Sequence, residues 1–201
     1  ACKRLGTDES QNFNRTEVDM VFLFLEHGFE EMEAIAVLDV LRRAGIELKS
    51  VGVSGRVLTG AHGVPVTADL SFEEYQAVES SAEMLIVPGG AAVQTLCNNE
   101  ALKESFRRYR GEKVAAICAA PIFLGELGLL RGKKVTAFPI DFVLEKVAAA
   151  GAELIDAPAV IDGNLVTGKS AGTAAEFAIH VVELLRGPEK AAEVRKGLVL
   201  Q

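Results

Sequence analysis

The segment Val114-Ala-Ala-Ile-Cys-Ala-Ala-Pro121 joins a short apolar run to the start of a helix through a single cysteine, Cys118. Apolar runs of this length, bounded by turn signals, are typical of buried strands. Small residues stand two positions before and two positions after the cysteine. Such neighbours allow a tight strand-to-helix elbow that holds a nucleophile above the sheet. The segment therefore predicts a buried strand, an elbow at Cys118 and a following helix.

Further strands of the same kind occur on both sides of this segment. Val21-Phe-Leu-Phe-Leu25 precedes a helical pattern over residues 30–44, and Met84-Leu-Ile-Val87 precedes Pro88-Gly89-Gly90. Alternation of strands and helices at this spacing predicts an α/β fold with a mostly parallel sheet covered on both faces. In such sheets, ligands bind beyond the carboxyl ends of the strands. We therefore expect a site where 26–33, 88–90 and 118–121 meet.

The chain of 201 residues divides at about residue 18. Residues 1–17 are polar and lack an apolar period, which predicts a flexible N-terminal extension. Residues 18–201 contain neither an internal repeat nor a linker, and their length suits a single domain.

Composition excludes several functional classes. The 21 basic and 28 acidic residues give a net charge of −7, whereas nucleic-acid binders and proteins of anionic membrane surfaces are typically basic. The sequence has no apolar run long enough to span a bilayer and no secretory signal pattern. Its three cysteines, Cys2, Cys97 and Cys118, form an odd and sparse set typical of free thiols in the cytosol. We expect a cytoplasmic protein without nucleic-acid or membrane partners.

Cys118 is the candidate nucleophile. At an elbow it lies beside a helix N-terminus, whose positive end favours a thiolate. The alternative is a buried structural cysteine, because cysteine is among the most buried residue types.

Gly89 and Gly90 are candidates for binding an anion. Two glycines after a buried strand allow their N–H groups to face an oxyanion or a carbonyl. The alternative is an ordinary tight turn.

The sequence Glu30-Glu31-Met32-Glu33 opens the first predicted helix. Glu30 and Glu31 are interpreted as solvated partners of the helix dipole. Glu33 lies on the side that faces the sheet, where burial raises the pKa of a carboxyl group and favours its protonated form. A protonated Glu33 can donate a hydrogen bond to a neighbouring thiolate or to its oxidised form.

No histidine adjoins Cys118 to act as a base. His27 and His62 lie in predicted loops from which they can approach the site, whereas His180 lies in a late helix as a surface or packing residue. No His, Cys or carboxylate group has the spacing of metal ligands, so we predict no metal and no cofactor.

Several of these motifs together resemble the DJ-1/ThiJ/PfpI superfamily, and specifically its DJ-1 branch. The resemblance covers about residues 18–200. It implies a flavodoxin-like three-layer sandwich, related to class I glutamine amidotransferases, and a homodimer. The motifs are Gly28-Phe-Glu-Glu-Met-Glu33, Asp39-Val-Leu-Arg-Arg-Ala-Gly45, Val87-Pro-Gly-Gly90, Ala115-Ala-Ile-Cys-Ala-Ala-Pro121 and Gly172-Thr173.

The resemblance also assigns roles to site residues. It implies that Cys118 is a reactive, oxidation-prone cysteine, and that Glu33 is a protonated partner that lowers the thiol pKa and holds a sulfinate. Gly89, Gly90 and Ala119 are implied to supply backbone N–H groups around the sulfur.

The function implied by the resemblance is protection against oxidative or carbonyl stress. Such a protein converts α-oxoaldehydes such as methylglyoxal to hydroxy acids, as a glyoxalase or deglycase with a cysteine nucleophile and no cofactor. One alternative is a redox sensor or chaperone-like protein without turnover, whose small-molecule partner is an oxidant. A weaker alternative is a cysteine hydrolase of the PfpI type.

Four features of the sequence depart from the superfamily pattern. Phe138 stands where many members carry a histidine near the cysteine, and Ser170-Ala-Gly-Thr173 replaces the usual Gly-Pro-Gly-Thr. Ala119 replaces the histidine that follows the cysteine in protease-like relatives. His62 falls where some members carry an arginine that reaches the partner's site, which predicts a possible contact across a dimer interface.

Overall fold

A seven-stranded sheet forms the centre of the computed structural model, which describes residues 20–109 and 113–200. In chain order the strands are β1 (Met20–Leu25), β2 (Leu48–Gly52), β3 (Val57–Thr59), β4 (Pro65–Thr67), β5 (Leu70–Ser71), β6 (Ala82–Val87), β7 (Lys113–Ile117), β8 (Lys134–Val135), β9 (Glu153–Leu154), β10 (Ala159–Asp162) and β11 (Leu165–Gly168). The order in the sheet is β10-β11-β7-β6-β1-β2-β5. All its neighbours pair in parallel except β10 and β11. These two strands form a hairpin, as the turn sequence Asp162-Gly163-Asn164 predicts.

Helices cover both faces of this sheet. They are α1 (Glu31–Arg43), α2 (Phe72–Gln76), α3 (Ala92–Cys97), α4 (Glu100–Arg108), α5 (Pro121–Glu126), α6 (Asp141–Ala149) and α7 (Ala174–Gly197), with 3₁₀ turns at Glu79–Ser81 and Ala171–Thr173. Gly187 interrupts α7 with a φ of 85°, immediately before Pro188. The sequence Gly187-Pro188 predicts the end of one helix and the start of another, and the structure shows a kink between two helical segments.

Strand β1 shows why the structure has three layers. Val21, Leu23 and Leu25 point to one face and pack in a core with α1 and α7. Phe22 and Phe24 point to the other face and pack with residues of α2 to α6. Because successive side chains of a strand alternate between faces, a fully apolar strand requires a helical layer on each side. The predicted flavodoxin-like three-layer sandwich is confirmed.

The order of the central strands determines where the site forms. Strands β7, β6 and β1 are adjacent and parallel, so their carboxyl ends at Ile117, Val87 and Leu25 lie on the same edge. The three segments that follow these strands therefore meet, as the sequence predicts.

Some predicted elements are shorter than expected. The sequence predicts one helical region from Gly90 to about Tyr109. The structure divides it into α3 and α4, because the Asn99 side chain accepts a hydrogen bond from Leu102 N–H and caps a new helix. The sequence of residues 133–138 also predicts a strand, but the structure limits it to β8. The extension predicted for residues 1–17 lies outside the described residues, and none of the described helices is long and apolar enough to cross a membrane.

Candidate active site

Cys118 lies at the elbow between β7 and α5, where the sequence places it. Its φ is 65°, in the left-handed region that costs a non-glycine residue about 1–3 kcal/mol. Two hydrogen bonds hold this conformation. The N–H of Cys118 donates to the carbonyl of Gly168 over 2.9 Å, and the N–H of Phe138 donates to the carbonyl of Cys118 over 2.8 Å. Ala116 and Ala120 are fully buried on either side, so small side chains make room for the turn.

Glu33 is the fully buried carboxyl group of the site. Its Oε2 accepts a hydrogen bond from Gly89 N–H over 2.7 Å. Its Oε1 is also buried and accepts no hydrogen bond from the described residues. Burial raises the pKa of Glu33 to about 7, and the opposing hydrogen bonds from Gly89 and Cys118 do not cancel this effect. Glu33 therefore gains and loses a proton near neutral pH, and Oε1 is free to carry it.

Gly89 lies against both the carboxyl group of Glu33 and the thiol of Cys118. A Cβ atom at Gly89 would lie 2.8 Å from Glu33 Oε2, 2.9 Å from Cys118 Sγ and 2.5 Å from Cys118 Cβ. No side chain can occupy that point without displacing the reactive groups. Gly90 has a φ of 92°, and a Cβ there would lie 2.3 Å from the carbonyl oxygen of Gly28. Both positions therefore require glycine.

The backbone N–H groups around the sulfur differ in part from the prediction. Those of Gly90 and Ala119 interact with the sulfur and favour its anion. The N–H of Gly89 donates instead to the carboxyl group of Glu33 on α1. The predicted anion pocket therefore contains Gly90 and Ala119, whereas Gly89 orients the carboxyl group.

The expected lowering of the thiol pKa is wrong for this structure. Burial, the negative charge of Glu33 and the hydrogen bond to it raise the pKa of Cys118 to about 12, against the opposite effect of Gly90 and Ala119. Helix α5 has only six residues, so its dipole offers little compensation. At neutral pH the resting site holds a thiol beside a carboxyl group that exchanges its proton.

A cavity of about 570 Å³ opens above the thiol. Cys118 and Glu33 lie among its lining residues. Its walls include Phe138, so the position of the expected histidine presents an apolar ring instead of a proton-transfer group. The other lining residues are Glu30, Ala61, His62, Gly90, Ala119, Ile140, Val143, Ser170, Ala171 and Gly172.

His62 lines this cavity from the loop between β3 and β4. Its Nδ1 lies 2.9 Å from Glu31 Oε2, and its backbone N–H donates to Glu31 Oε1 over 2.6 Å. Glu31 is buried, in contrast to the solvated charge expected from sequence. Burial opposes its ionisation, but the hydrogen bonds from His62 outweigh that effect and lower the pKa of Glu31 to about 2. The possible contact of His62 across a dimer interface stays a prediction.

The fold also brings together a group that sequence spacing does not reveal. The carboxylate oxygens of Glu30 and Glu31 and a ring nitrogen of His62, all atoms of types that bind metal ions, lie within 4.8 Å of one another. Glu30 already caps α1, because its side chain accepts a hydrogen bond from Glu33 N–H over 2.8 Å. The absence of a metal stays a prediction.

Cys97 lines a second cavity of about 470 Å³, whose wall also includes Gly90 and Ala119. Burial and the neighbouring Glu126 raise the pKa of Cys97 to about 11. Sequence reasoning assigned no role to this thiol, and its position at the end of α3 shows no elbow.

Known proteins share this fold and this sequence pattern. The sequence profile described as the DJ-1/PfpI family matches residues 19–184. Protein DJ-1 homolog A of Arabidopsis thaliana is 37% identical over 186 residues, which are 90% of this chain and 46% of that protein. Deglycase PfpI of Pyrococcus furiosus is 34% identical over 170 residues, which are 83% of this chain and 100% of that protein. The crystal structure of Drosophila melanogaster DJ-1beta superimposes with a TM-score of 0.83 at 33% identity and covers 91% of this chain and 98% of that one.

The relatives differ in how much of their own length this chain matches. The chain spans less than half the length of the Arabidopsis thaliana relatives DJ-1 homolog A and homolog B, but 82% or more of the length of the animal and archaeal relatives. With the profile covering most of the chain and the three strand ends arranged as described, the chain belongs to the DJ-1/PfpI family.

Proposed function

We propose that this protein converts small α-oxoaldehydes such as methylglyoxal to hydroxy acids, in a protective role in the cytoplasm. Cys118 is the nucleophile and Glu33 is the general acid and base. The observation that carries the proposal is a buried carboxyl group with a pKa of about 7 beside a strained thiol that lines a cavity. Three archaeal relatives are named deglycases, which supports carbonyl chemistry of this class.

The first step forms a bond between sulfur and the aldehyde carbon. The Cys118 sulfur attacks C1, the S–H proton passes to the carboxylate of Glu33, and Glu33 returns it to the aldehyde oxygen. The product is a hemithioacetal. Because the thiol pKa is about 12, proton removal must accompany the attack, and a base in contact with the sulfur supplies that step.

The second step moves hydrogen between the two carbons. Glu33 removes the C1 proton and passes it to the C2 oxygen, which gives an enediol. Glu33 then takes the proton of the C1 hydroxyl and delivers it to C2. C1 is thereby oxidised to a thioester on Cys118 and C2 is reduced to an alcohol, so no external oxidant or cofactor is needed. Water then cleaves the thioester and releases the hydroxy acid and the free thiol. A group with a pKa near the working pH serves both directions of proton transfer.

The experiment compares methylglyoxal consumption and lactate formation in the wild type and two variants. Cys118→Ser removes the nucleophile and is expected to lower lactate formation by about 1000-fold or more. Cys97→Ser is the matched control and is expected to retain wild-type turnover. Equal rates for the wild type and Cys118→Ser would refute the enzymatic proposal.

A redox sensor is the second candidate function. The N–H groups of Gly90 and Ala119 favour an anionic sulfur, and a sulfinate on Cys118 would also accept a hydrogen bond from protonated Glu33. In this alternative the output is the oxidised thiol itself, and phenylalanine at position 138 is consistent with slow turnover. A cysteine hydrolase is less favoured because Ala119 offers no base beside the nucleophile.

We also propose that a second copy of the chain covers the exposed apolar surface next to the site. Met32 and Ile35 of α1 are 62% and 46% exposed, and Val57 and Val64 of the β3–β4 hairpin are 63% and 50% exposed. Exposed apolar patches of this kind commonly mark interfaces. Sedimentation velocity is expected to give the mass of a dimer for the wild type and a shift toward monomer for Met32→Glu.

A further inference from the structure

The strained elbow at Cys118 is held on both sides by backbone hydrogen bonds. On the amino side, the N–H of Cys118 donates directly to the carbonyl of Gly168, the last residue of β11. On the carboxyl side, the carbonyl of Cys118 accepts the N–H of Phe138 over 2.8 Å. Phe138 lies beyond the end of β8 at Val135. The second bond therefore depends on whatever holds residues 136–138 in place.

The side chain of Thr167 holds this segment against β11. Its Oγ1 accepts the N–H of Thr136 over 3.0 Å, and both residues are buried. The hydroxyl of Thr136 donates in turn to the carbonyl of Ala157 over 2.8 Å, in the loop before β10. The bond to Thr167 is therefore the one that ties the segment to the strand beside the elbow. A buried N–H needs a partner within the protein, so the N–H of Thr136 depends on this hydroxyl.

Packing alone does not explain a threonine at position 167. All four residues of β11 are buried, and Thr167 pairs in register with Ala116 of β7, two residues before the elbow. Valine would fill nearly the same space without the cost of burying a hydroxyl group. The hydroxyl of Thr167 therefore contributes through its hydrogen bond to the segment that contacts Cys118.

The peptide unit between Cys118 and Ala119 links this contact to the sulfur. Its carbonyl oxygen accepts the N–H of Phe138. Its N–H, which belongs to Ala119, interacts with the Cys118 sulfur and favours the anion. Because a peptide unit is rigid and planar, a hydrogen bond that holds the carbonyl oxygen also fixes the direction of the N–H.

We propose that Thr167 is a positioning residue for the nucleophile. Its hydroxyl holds Thr136, the same segment holds the N–H of Phe138 on the carbonyl of Cys118, and that bond directs the N–H of Ala119 at the sulfur. Without the hydroxyl, the peptide unit turns and the elbow relaxes from its φ of 65°. The inference rests on the proposed function only for its effect on turnover, because the hydrogen bonds can be measured without any activity.

The test compares Thr167→Val, which removes the hydroxyl and keeps the shape, with Thr167→Ser, which keeps the hydroxyl. Ser50→Ala is the matched control. Ser50 is a buried residue of β2 whose Oγ accepts the N–H of Asp69 over 3.0 Å, so this variant removes the same kind of bond away from the elbow. Thr167→Ala replaces Thr167→Val in the comparison if the valine variant does not fold.

Amide hydrogen exchange followed by NMR measures the elbow directly. In Thr167→Val the N–H of Phe138 should exchange about tenfold faster or more, as expected when a buried hydrogen bond is lost. The N–H of Phe24, in the central strand β1, should keep its wild-type rate. Thr167→Ser and Ser50→Ala should leave the exchange of Phe138 unchanged. A loss of stability without a role at the elbow would instead accelerate Phe138 and Phe24 together.

Turnover of methylglyoxal measures the consequence for the nucleophile. In Thr167→Val the kcat for lactate formation should fall by about 10- to 100-fold, the usual effect of misplacing a reacting group. Thr167→Ser should restore most of this loss, and Ser50→Ala should retain the wild-type kcat. Alkylation of Cys118 by iodoacetamide should also slow in Thr167→Val, because the N–H of Ala119 no longer favours the thiolate. Alkylation of Cys97 should not change.

Several results would overturn the inference and leave the proposed function intact. They are a wild-type kcat in Thr167→Val, a Thr167→Ser variant as slow as Thr167→Val, or equal acceleration of exchange at Phe138 and Phe24. If not even the wild type forms lactate, the proposed function is refuted. The exchange of Phe138 and the alkylation of Cys118 then decide the inference separately, and wild-type values for both in Thr167→Val would refute it.

Discussion

The two thiols of the described chain occupy neighbouring cavities, yet only one of them has an environment that supports chemistry. Cys118 and Cys97 are both half-buried and free, and both have a pKa raised by burial and by a nearby carboxyl group. The cavities share Gly90 and Ala119 in their walls. Burial and a high pKa therefore do not distinguish the two cysteines.

The difference lies in the carboxyl partner and in the backbone. Glu33 has one free oxygen and a pKa of about 7, so it exchanges a proton at neutral pH. Glu126, the carboxylate beside Cys97, is already paired with Lys103 at a distance of 2.9 Å. Cys118 also sits at a strained elbow, whereas Cys97 ends an ordinary helix. An exchangeable proton on the carboxyl group beside the thiol, more than a low resting thiol pKa, therefore marks the reactive cysteine.

The first prediction concerns the cost of keeping Glu33 buried. Its pKa is about 7 in the folded protein against an ordinary value of 4.5, so the folded state binds this proton more tightly than the unfolded state. This contribution to stability is therefore fully present below about pH 4.5 and is lost as the pH rises through 7. From pH 5 to pH 8 the loss should be about 2–3 kcal/mol in the free energy of unfolding.

Urea unfolding of the wild type, Glu33→Gln and Glu126→Gln at pH 5 and pH 8 measures this contribution. Glu33→Gln should remove this loss because the amide does not titrate, whereas Glu126→Gln should retain it. An identical pH dependence of stability in the wild type and Glu33→Gln would show that the folded state does not raise the pKa of Glu33. Glu33 and Glu126 would then not differ in the way proposed here.

The second prediction tests the space at Gly89. Gly89→Ala places a methyl group 2.5 Å from Cys118 Cβ, so the elbow or α1 must shift, at a cost of about 1–3 kcal/mol in the free energy of unfolding. The hydrogen bond from the N–H of residue 89 to Glu33 should weaken. The rate at which iodoacetamide alkylates Cys118 should change, whereas the rate for Cys97 should stay the same.

Gly172→Ala is the matched control for this substitution. Gly172 lines the same cavity, but a Cβ there would lie no closer than 3.9 Å to its nearest neighbour. Its free energy of unfolding should stay within about 1 kcal/mol of the wild type. If both variants lose stability equally, the close approach at Gly89 does not matter.

Local patterns in the sequence were sufficient to predict the framework of the site. The apolar runs over 21–25, 84–87 and 114–117 specify buried strands because each is short and bounded by turn signals. Their alternation with helices then predicts which ends of the strands meet. The position of Glu33 on the buried side of α1 follows from the 3.6-residue period of the helix.

Contacts between distant residues explain what the sequence did not reveal. Glu31 and His62 pair across 31 positions, through a hairpin whose docking no local pattern encodes. The strand expected over 133–138 is shortened because Thr136 N–H donates to the side chain of Thr167 and Phe138 N–H donates to Cys118. These backbone N–H groups therefore donate to a side chain and to the elbow, outside a regular strand ladder.

The last prediction is a preference in oxidation. The N–H groups of Gly90 and Ala119 and the proton on Glu33 stabilise an oxidised, anionic Cys118, whereas the described surroundings of Cys97 offer the paired Glu126. Low concentrations of peroxide should therefore convert Cys118 to the sulfinate at least about tenfold faster than Cys97. This ratio corresponds to a difference of ~1.4 kcal/mol between the two activation free energies. The two cysteines fall in separate tryptic peptides, 57–103 and 114–131, so mass spectrometry measures both in one sample. Glu33→Gln should retain less sulfinate because its amide is a weaker donor than the acid. Faster oxidation of Cys97 would reverse the comparison and move the reactive site to the end of α3.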